Sequence, residues 1–115
     1  MNYLVFDIGG TAIKYALMTE SSHIIEKGEI STPKLNFEDF IEKLLNIYYK
    51  FNNIVGIAIS LPGKIDSITG FSYSGGSLFY NNEKNIPKFL SSKLVIPVTA
   101  ENDGKCAALA EAWQG

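Results

Sequence analysis

This chain cannot close an internal disulfide, because it has a single cysteine, Cys106. A chain without a cysteine framework suits a reducing compartment. It also lacks any run of basic residues. Its 10 basic residues are scattered against 12 acidic ones, for a formal net charge of −2. That balance argues against nucleic acid or an anionic membrane surface as the main partner. No apolar run approaches the ~20 residues that span a bilayer. The first residues lack the basic segment and apolar stretch of a secretory leader. No internal repeat or low-complexity tract is visible. Together these absences lead us to expect a cytoplasmic protein with neither a nucleic-acid nor a membrane partner.

What remains is a composition suited to folding. The 115 residues match one compact domain, and 46% hydrophobic against 19% charged residues allows a core and excludes a disordered composition. Residues 2–8, 12–19 and 23–32 read as three strands joined by short turns, hence an antiparallel meander. The period then changes. Phe37, Phe40, Ile41, Leu44, Leu45, Ile47 and Tyr48 fall at helical spacing. Asn36 can cap that helix, and Glu38 and Asp39 sit in its first turn, where the dipole favours acids. The apolar run 53–60 reads as a central strand covered on both faces. A turn-rich loop follows, then the glycine-rich "SYSGGSLFYNN". A short helix around Pro87–Ser92, a strand over 96–102 and an alanine-rich helix from 103 complete the pattern. A meander followed by alternating helices and strands predicts an α/β domain: a mixed sheet of about five strands with helices on both faces.

The turn Asp7-Ile8-Gly9-Gly10-Thr11 lies between two strands. Glycines permit positive φ and remove Cβ atoms, so backbone N–H groups can converge on a small anion. Thr11 adds a hydroxyl. Asp7 can hold a hydrated magnesium ion beside that anion, since magnesium keeps several waters and needs few protein carboxylates. These parts suit a polyphosphate. The Walker pattern is excluded, because no Gly-Lys-Ser/Thr opens a helix here. The dinucleotide fingerprint is excluded, because this turn leads into another strand. The turn also reads as a plain glycine hairpin. Asn102 and Asp103 sit where a strand meets a helix, and in open α/β sheets ligands bind at the carboxyl ends of strands. A carboxylate there can accept a proton from an attacking alcohol, and Asn102 can bond hydroxyls of the same molecule. Helix capping accounts for Asp103 on position alone. By the same reasoning Glu101 reads as a strand-end polar group in preference to a pocket residue, Cys106 as core, and His23 as a solvated turn residue.

In this order the motifs resemble the ROK family of bacterial sugar kinases, related repressors and open reading frames. "FDIGGTAIKYALM" resembles its amino-terminal phosphate motif, "GIAISLPGKID" the Gly-x5-Pro-Gly segment of its sugar pocket, and "ENDGKCAALAE" the segment with its catalytic aspartate. The resemblance spans nearly the whole chain. It implies a ribonuclease-H-like, actin-type ATPase fold and transfer of the γ-phosphoryl of ATP to a sugar hydroxyl, typically on C6. Asp103 is then the general base and Asn102 a sugar-binding group. Gly63, and Lys64 through its backbone, line the sugar pocket, and the loop with Gly75 and Gly76 closes over the sugar's other edge. Gly9, Gly10 and Thr11 approach the ATP phosphates, and Asp7 acts near Mg2+. Lys14, just beyond, adds charge there or points to solvent.

Two departures qualify the resemblance. Many members have Ala-Asn after the catalytic aspartate, where this chain has Gly104-Lys105. Family kinases also continue into a second domain with further sugar-binding Glu and His residues, a Cys-rich zinc motif, a second phosphate loop and the adenine pocket. Residues 1–115 are therefore expected to be an amino-terminal lobe that holds part of a site without turning over. Zinc belongs only to the missing half. The full-length protein is expected to be a homodimer whose partners are a sugar and ATP. Glucokinase-type and β-glucoside kinase members look most similar. Two other readings stay in view: a sugar-sensing regulator and a non-kinase actin-type ATPase. A regulator carries a helix-turn-helix domain first, and Met1 falls one residue before the first strand. An ATPase needs no alcohol-deprotonating base.

Overall fold

A computed structural model describes residues 1–102. The meander is as expected: β1 (Asn2–Ile8), β2 (Ala12–Thr19) and β3 (Ile24–Ser31), paired antiparallel. Helix α1 (Phe37–Tyr48) returns the chain to β4 (Ile54–Leu61), which lies parallel to β1. A small sheet follows, of β5 (Lys64–Ile65), β6 (Phe71–Ser74) and β7 (Lys84–Asn85), with a 3-10 turn at Phe79–Asn81. Helix α2 (Ile86–Leu94) then leads to β8 (Val98–Asn102), parallel to β4. The main sheet has five strands in the order β3-β2-β1-β4-β8.

Alternation along β1 sets the faces. Leu4, Phe6 and Ile8 are fully buried, while Tyr3 and Asp7, pointing the other way, are exposed. The register carries this across the sheet. Leu4 lies opposite Leu17 and Ile57, Phe6 opposite Tyr15 and Ile59, and Ile8 opposite Ile13. Phe40, Ile41, Leu44, Leu45 and Ile47 of α1 complete the core, joined by Ile86 and Leu90 of α2. Asn36 caps α1 as expected, its side chain accepting from the Asp39 N–H at 2.8 Å. α2 starts with Asn85 accepting from the Lys88 N–H at 3.0 Å. Two glycines make room for cross-strand rings: Tyr15 lies over Gly28 and Tyr3 over Gly56.

The structure departs from the sequence reading in three places. The loop expected over residues 61–82 contains β5, β6 and the 3-10 turn. Strands of two to four residues carry too little alternation to show a period. Helix α2 extends beyond Pro87–Ser92 on both sides, ending where Val95 adopts left-handed φ of 58°. The last strand begins at Val98 rather than 96, after Pro97. The helix expected from 103, with Cys106, lies outside the described residues; α1 and α2 share one core with Leu4, Phe6 and Ile8. Among the described residues, no helix is long and apolar enough to cross a membrane.

Candidate functional site

Because β1, β4 and β8 run parallel, their carboxyl ends emerge along one rim of the sheet. Gly9 follows β1, Pro62 and Gly63 follow β4, and Asn102 ends β8. The rim is thus assembled from residues far apart in sequence.

The turn after β1 is tightly held. The Gly9 N–H donates to the Ala12 carbonyl at 2.9 Å, closing the hairpin. The Thr32 hydroxyl donates to the Gly9 carbonyl at 2.8 Å, and the Thr32 N–H to the Thr11 carbonyl at 3.0 Å. The Lys34 ammonium donates to the Gly10 carbonyl. Of the two freedoms glycine offers, this turn does not use positive φ, which is adopted at Gly63, Gly70 and Gly76. Gly9 and Gly10 are needed instead for close approach. A Cβ on Gly9 would stand 2.9 Å from the Ala12 carbonyl oxygen, and one on Gly10 would stand 2.8 Å from Ser77 Oγ.

Ser77 belongs to the glycine-rich loop, so that loop touches the turn directly. Within it, Gly76 (φ 61°) packs on Gly63 (φ 99°), and a Cβ on Gly63 would stand 2.6 Å from the Gly76 nitrogen and overlap the Ser74 carbonyl. The Gly75 N–H donates to Asn82 Oδ1 at 2.7 Å, and the Gly76 N–H to Ser74 Oγ at 3.1 Å. Asn102 Nδ2 donates to the Gly63 carbonyl at 2.6 Å, tying the end of β8 to the loop after β4. A chain of contacts therefore runs Asn102, Gly63, Gly76, Ser77, Gly10. Lys64 is exposed on β5, opposite Ser74. Tyr80 closes the circuit from outside, its hydroxyl donating to the Pro33 carbonyl at 2.7 Å. Burial, with the Asp39 charge adding to it, pushes the Tyr80 hydroxyl up to about 12.

Asp7 and Lys14 are neighbours across β1 and β2, on the face opposite the Leu4–Phe6–Ile8 core. With Lys27, Gly28 and Glu29 of β3 they line a shallow concavity of about 490 Å3. They lie below the rim rather than on it. Gly9, Gly10, Thr11, Gly63, Gly76 and Asn102 are brought to one edge; Asp103 follows Asn102 in sequence and lies outside the described residues.

The sequence reading missed Thr32, Lys34 and Ser77. The strand register accounts for Thr32. With Ala12 opposite Ser31, continuing the register puts residue 32 beside Thr11. Glu101 lies opposite Ser60, and its Oε2 is buried with no hydrogen-bond partner among the described residues. Beneath the glycine loop, Asn81 is 1% exposed with neither side-chain amide atom partnered among the described residues, the kind of group that ordered water satisfies.

The meander, the parallel return and the shared rim make a ribonuclease-H-like fold of the actin type. The chain belongs to the ROK family, whose model matches residues 3–115. It is 33% identical over 115 residues to a β-glucoside kinase of Klebsiella pneumoniae, covering 100% of this chain and 39% of that protein. It is 34% identical over 122 residues to a glucokinase of Halalkalibacterium halodurans, covering 98% of this chain and 37% of that protein. Among solved structures, the Lmo2764 protein of Listeria monocytogenes superposes with a TM-score of 0.90 at 30% identity, over 100% of this chain and 40% of that one. The chain thus spans well under half the length of the relatives it matches.

Proposed function

We propose that this chain is the amino-terminal lobe of an ATP-dependent sugar kinase, which moves the γ-phosphoryl of ATP to a sugar hydroxyl. The C6 hydroxyl of a hexose or a hexose-containing glycoside is the preferred acceptor. The observation that carries the reading is the contact chain along the rim, from Asn102 through Gly63 and Gly76 to Gly10. The Asn102 amide and the Gly9–Gly10 turn share one edge, which supports a hydroxyl site beside an anion site. The names of the similar proteins, a β-glucoside kinase and a glucokinase, support a sugar as acceptor.

In this reading the sugar rests against Gly63, Gly76 and the backbone of Lys64, with Asn102 bonding a hydroxyl. Asp103 is the general base that takes the proton as the sugar oxygen attacks phosphorus. Gly10 and Thr11 receive the phosphates, and Gly9 shapes their turn. Asp7 and Lys14 supply charge beneath them. An exposed carboxylate such as Asp7 fits a magnesium ion that keeps its waters and is shared with the nucleotide. Among the described residues, no group of three or more His, Cys, Asp or Glu side chains forms a protein cage for a metal. Bound there, magnesium neutralises charge on the transferring phosphoryl group. The adenine site and any structural zinc belong to the rest of the protein. The lobe alone is expected to be inactive, and the whole protein to be a cytoplasmic homodimer.

The test is Asp103→Asn in the full-length protein, assayed against a sugar panel with coupled ADP detection. Sugar affinity should stay near wild type while kcat falls ~10²–10⁴-fold, the scale of general-base catalysis. A near-wild-type rate would remove Asp103 from the chemistry. A wild-type protein that hydrolyses ATP yet phosphorylates no sugar would point to the ATPase reading. One that binds sugar without using ATP would point to a regulator.

A further inference from the structure

We propose that Thr32 and Lys34 are positioning residues that aim the anion-binding amides of the Gly9–Thr11 turn. The proposal rests on the kinase reading for the identity of the anion, but its geometry stands apart from it. A trans peptide is planar, so its C=O and N–H point in opposite directions. The Thr32 hydroxyl holds the Gly9 carbonyl, which directs the Gly10 N–H away from Thr32. The Lys34 ammonium holds the Gly10 carbonyl, which directs the Thr11 N–H away from Lys34. Two successive peptides are therefore oriented by side chains from one three-residue segment. The Gly9 N–H is engaged by Ala12, whereas the Gly10 and Thr11 N–H groups meet no acceptor among the described residues.

Thr32 and Lys34 differ in kind. Thr32 is 3% exposed, and its own N–H pairs with Thr11, so its hydroxyl is fixed in place. Lys34 is exposed, so its bond to Gly10 competes with water. An ammonium beside a peptide carbonyl also polarises that peptide, strengthening the opposite N–H as a donor. Lys34 thereby contributes positive charge at the turn without contacting the anion. Pro33, between them, accepts from Tyr80, which anchors the segment to the glycine loop. Donors held in place before the ligand arrives need no reorganisation on binding.

The experiment uses the full-length protein and its Thr32→Val, Lys34→Met and Lys34→Arg variants. Inorganic tripolyphosphate and magnesium–AMPPNP binding are measured by calorimetry, with KM for ATP and for sugar measured separately. Thr32→Val and Lys34→Met should each weaken triphosphate binding and raise the KM for ATP on the order of tenfold, the scale of one charge-assisted hydrogen bond. The sugar KM should not move, and Lys34→Arg should recover most of the loss. A merely structural role would lower melting temperature and both affinities together, and would overturn the proposal. Unchanged triphosphate binding in both variants would overturn it too, while leaving sugar phosphorylation by the wild type intact. If the wild type phosphorylates no sugar but binds tripolyphosphate, and the variants lose that binding, the kinase reading falls and this one stands. A wild type that does neither overturns both.

Discussion

The two glycine pairs at the rim differ: Gly9 and Gly10 are adjacent in sequence, whereas Gly63 and Gly76 meet only in space. At Gly63 and Gly76 the backbone is left-handed, with φ of 99° and 61°, and the two glycines pack on each other. At Gly9 and Gly10 the backbone is ordinary, and glycine is required by what stands next to it. At Gly63 both conformation and space forbid a side chain, whereas Gly76 shares its left-handed φ with Val95 and a Cβ there would stand 3.0 Å from the Gly63 nitrogen. At Gly9 and Gly10 only space forbids one, and at Gly10 the obstacle is the end of an exposed side chain, Ser77. A glycine motif therefore says little about tolerance until its neighbours are known.

The contrast is sharpest in Gly63→Ala. The new Cβ would meet the Ser74 carbonyl in a left-handed backbone. A loss of about 3 kcal/mol or more is expected from chemical denaturation, since strain and overlap add. A loss under about 1 kcal/mol would erase the distinction between the pairs. Gly10→Ala should cost less, about 1–2 kcal/mol, because Ser77 can turn aside. A double-mutant cycle with Ser77→Ala should recover part of that loss, and strict additivity would mean the two residues do not couple.

Tyr80→Phe carries the smallest effect. It removes the hydroxyl bond to Pro33 and should cost about 1 kcal/mol. It also has a pH signature. The hydroxyl is raised from 10.0 to about 12 in the folded chain, so the unfolded chain loses its proton first. The stability this group supports is complete below pH 10 and declines as pH rises through about 12. Unfolding curves collected across that window should slope less for Tyr80→Phe than for wild type. Equal slopes would place the alkaline transition elsewhere.

Much of the main sheet was legible because burial on one face imposes a period. Leu4, Phe6 and Ile8 alternate with Tyr3, Val5 and Asp7, and the run 54–61 is apolar because β4 lies between β1 and β8. The small sheet was not legible, since its shape comes from turns rather than from alternation. Asp66 organises one of them, its N–H donating to the Phe71 carbonyl while its carboxylate accepts from the N–H groups of Ile68 and Thr69. The glycine positions of the site could be read, because backbone approach demands that residue type. The reason for Gly9 and Gly10 could not be, because it lies in Ala12 and in Ser77, which is distant in sequence. Thr32 and Lys34 were hidden for a related cause. Their partners are carbonyls, which every residue has, so no side-chain pattern marks the pairing.

The bond from Asn102 to Gly63 has a consequence for how variants are interpreted. Asn102 has its place because β8 is zipped to β4, with Ala100 beside Ile59 in the core. A longer side chain at Ala100 would lever the strand outward and carry the amide off its carbonyl. On the kinase reading, loss of turnover would then originate well away from any reacting atom. On this strand, an inactive variant is as much a report on sheet alignment as on touch with the substrate.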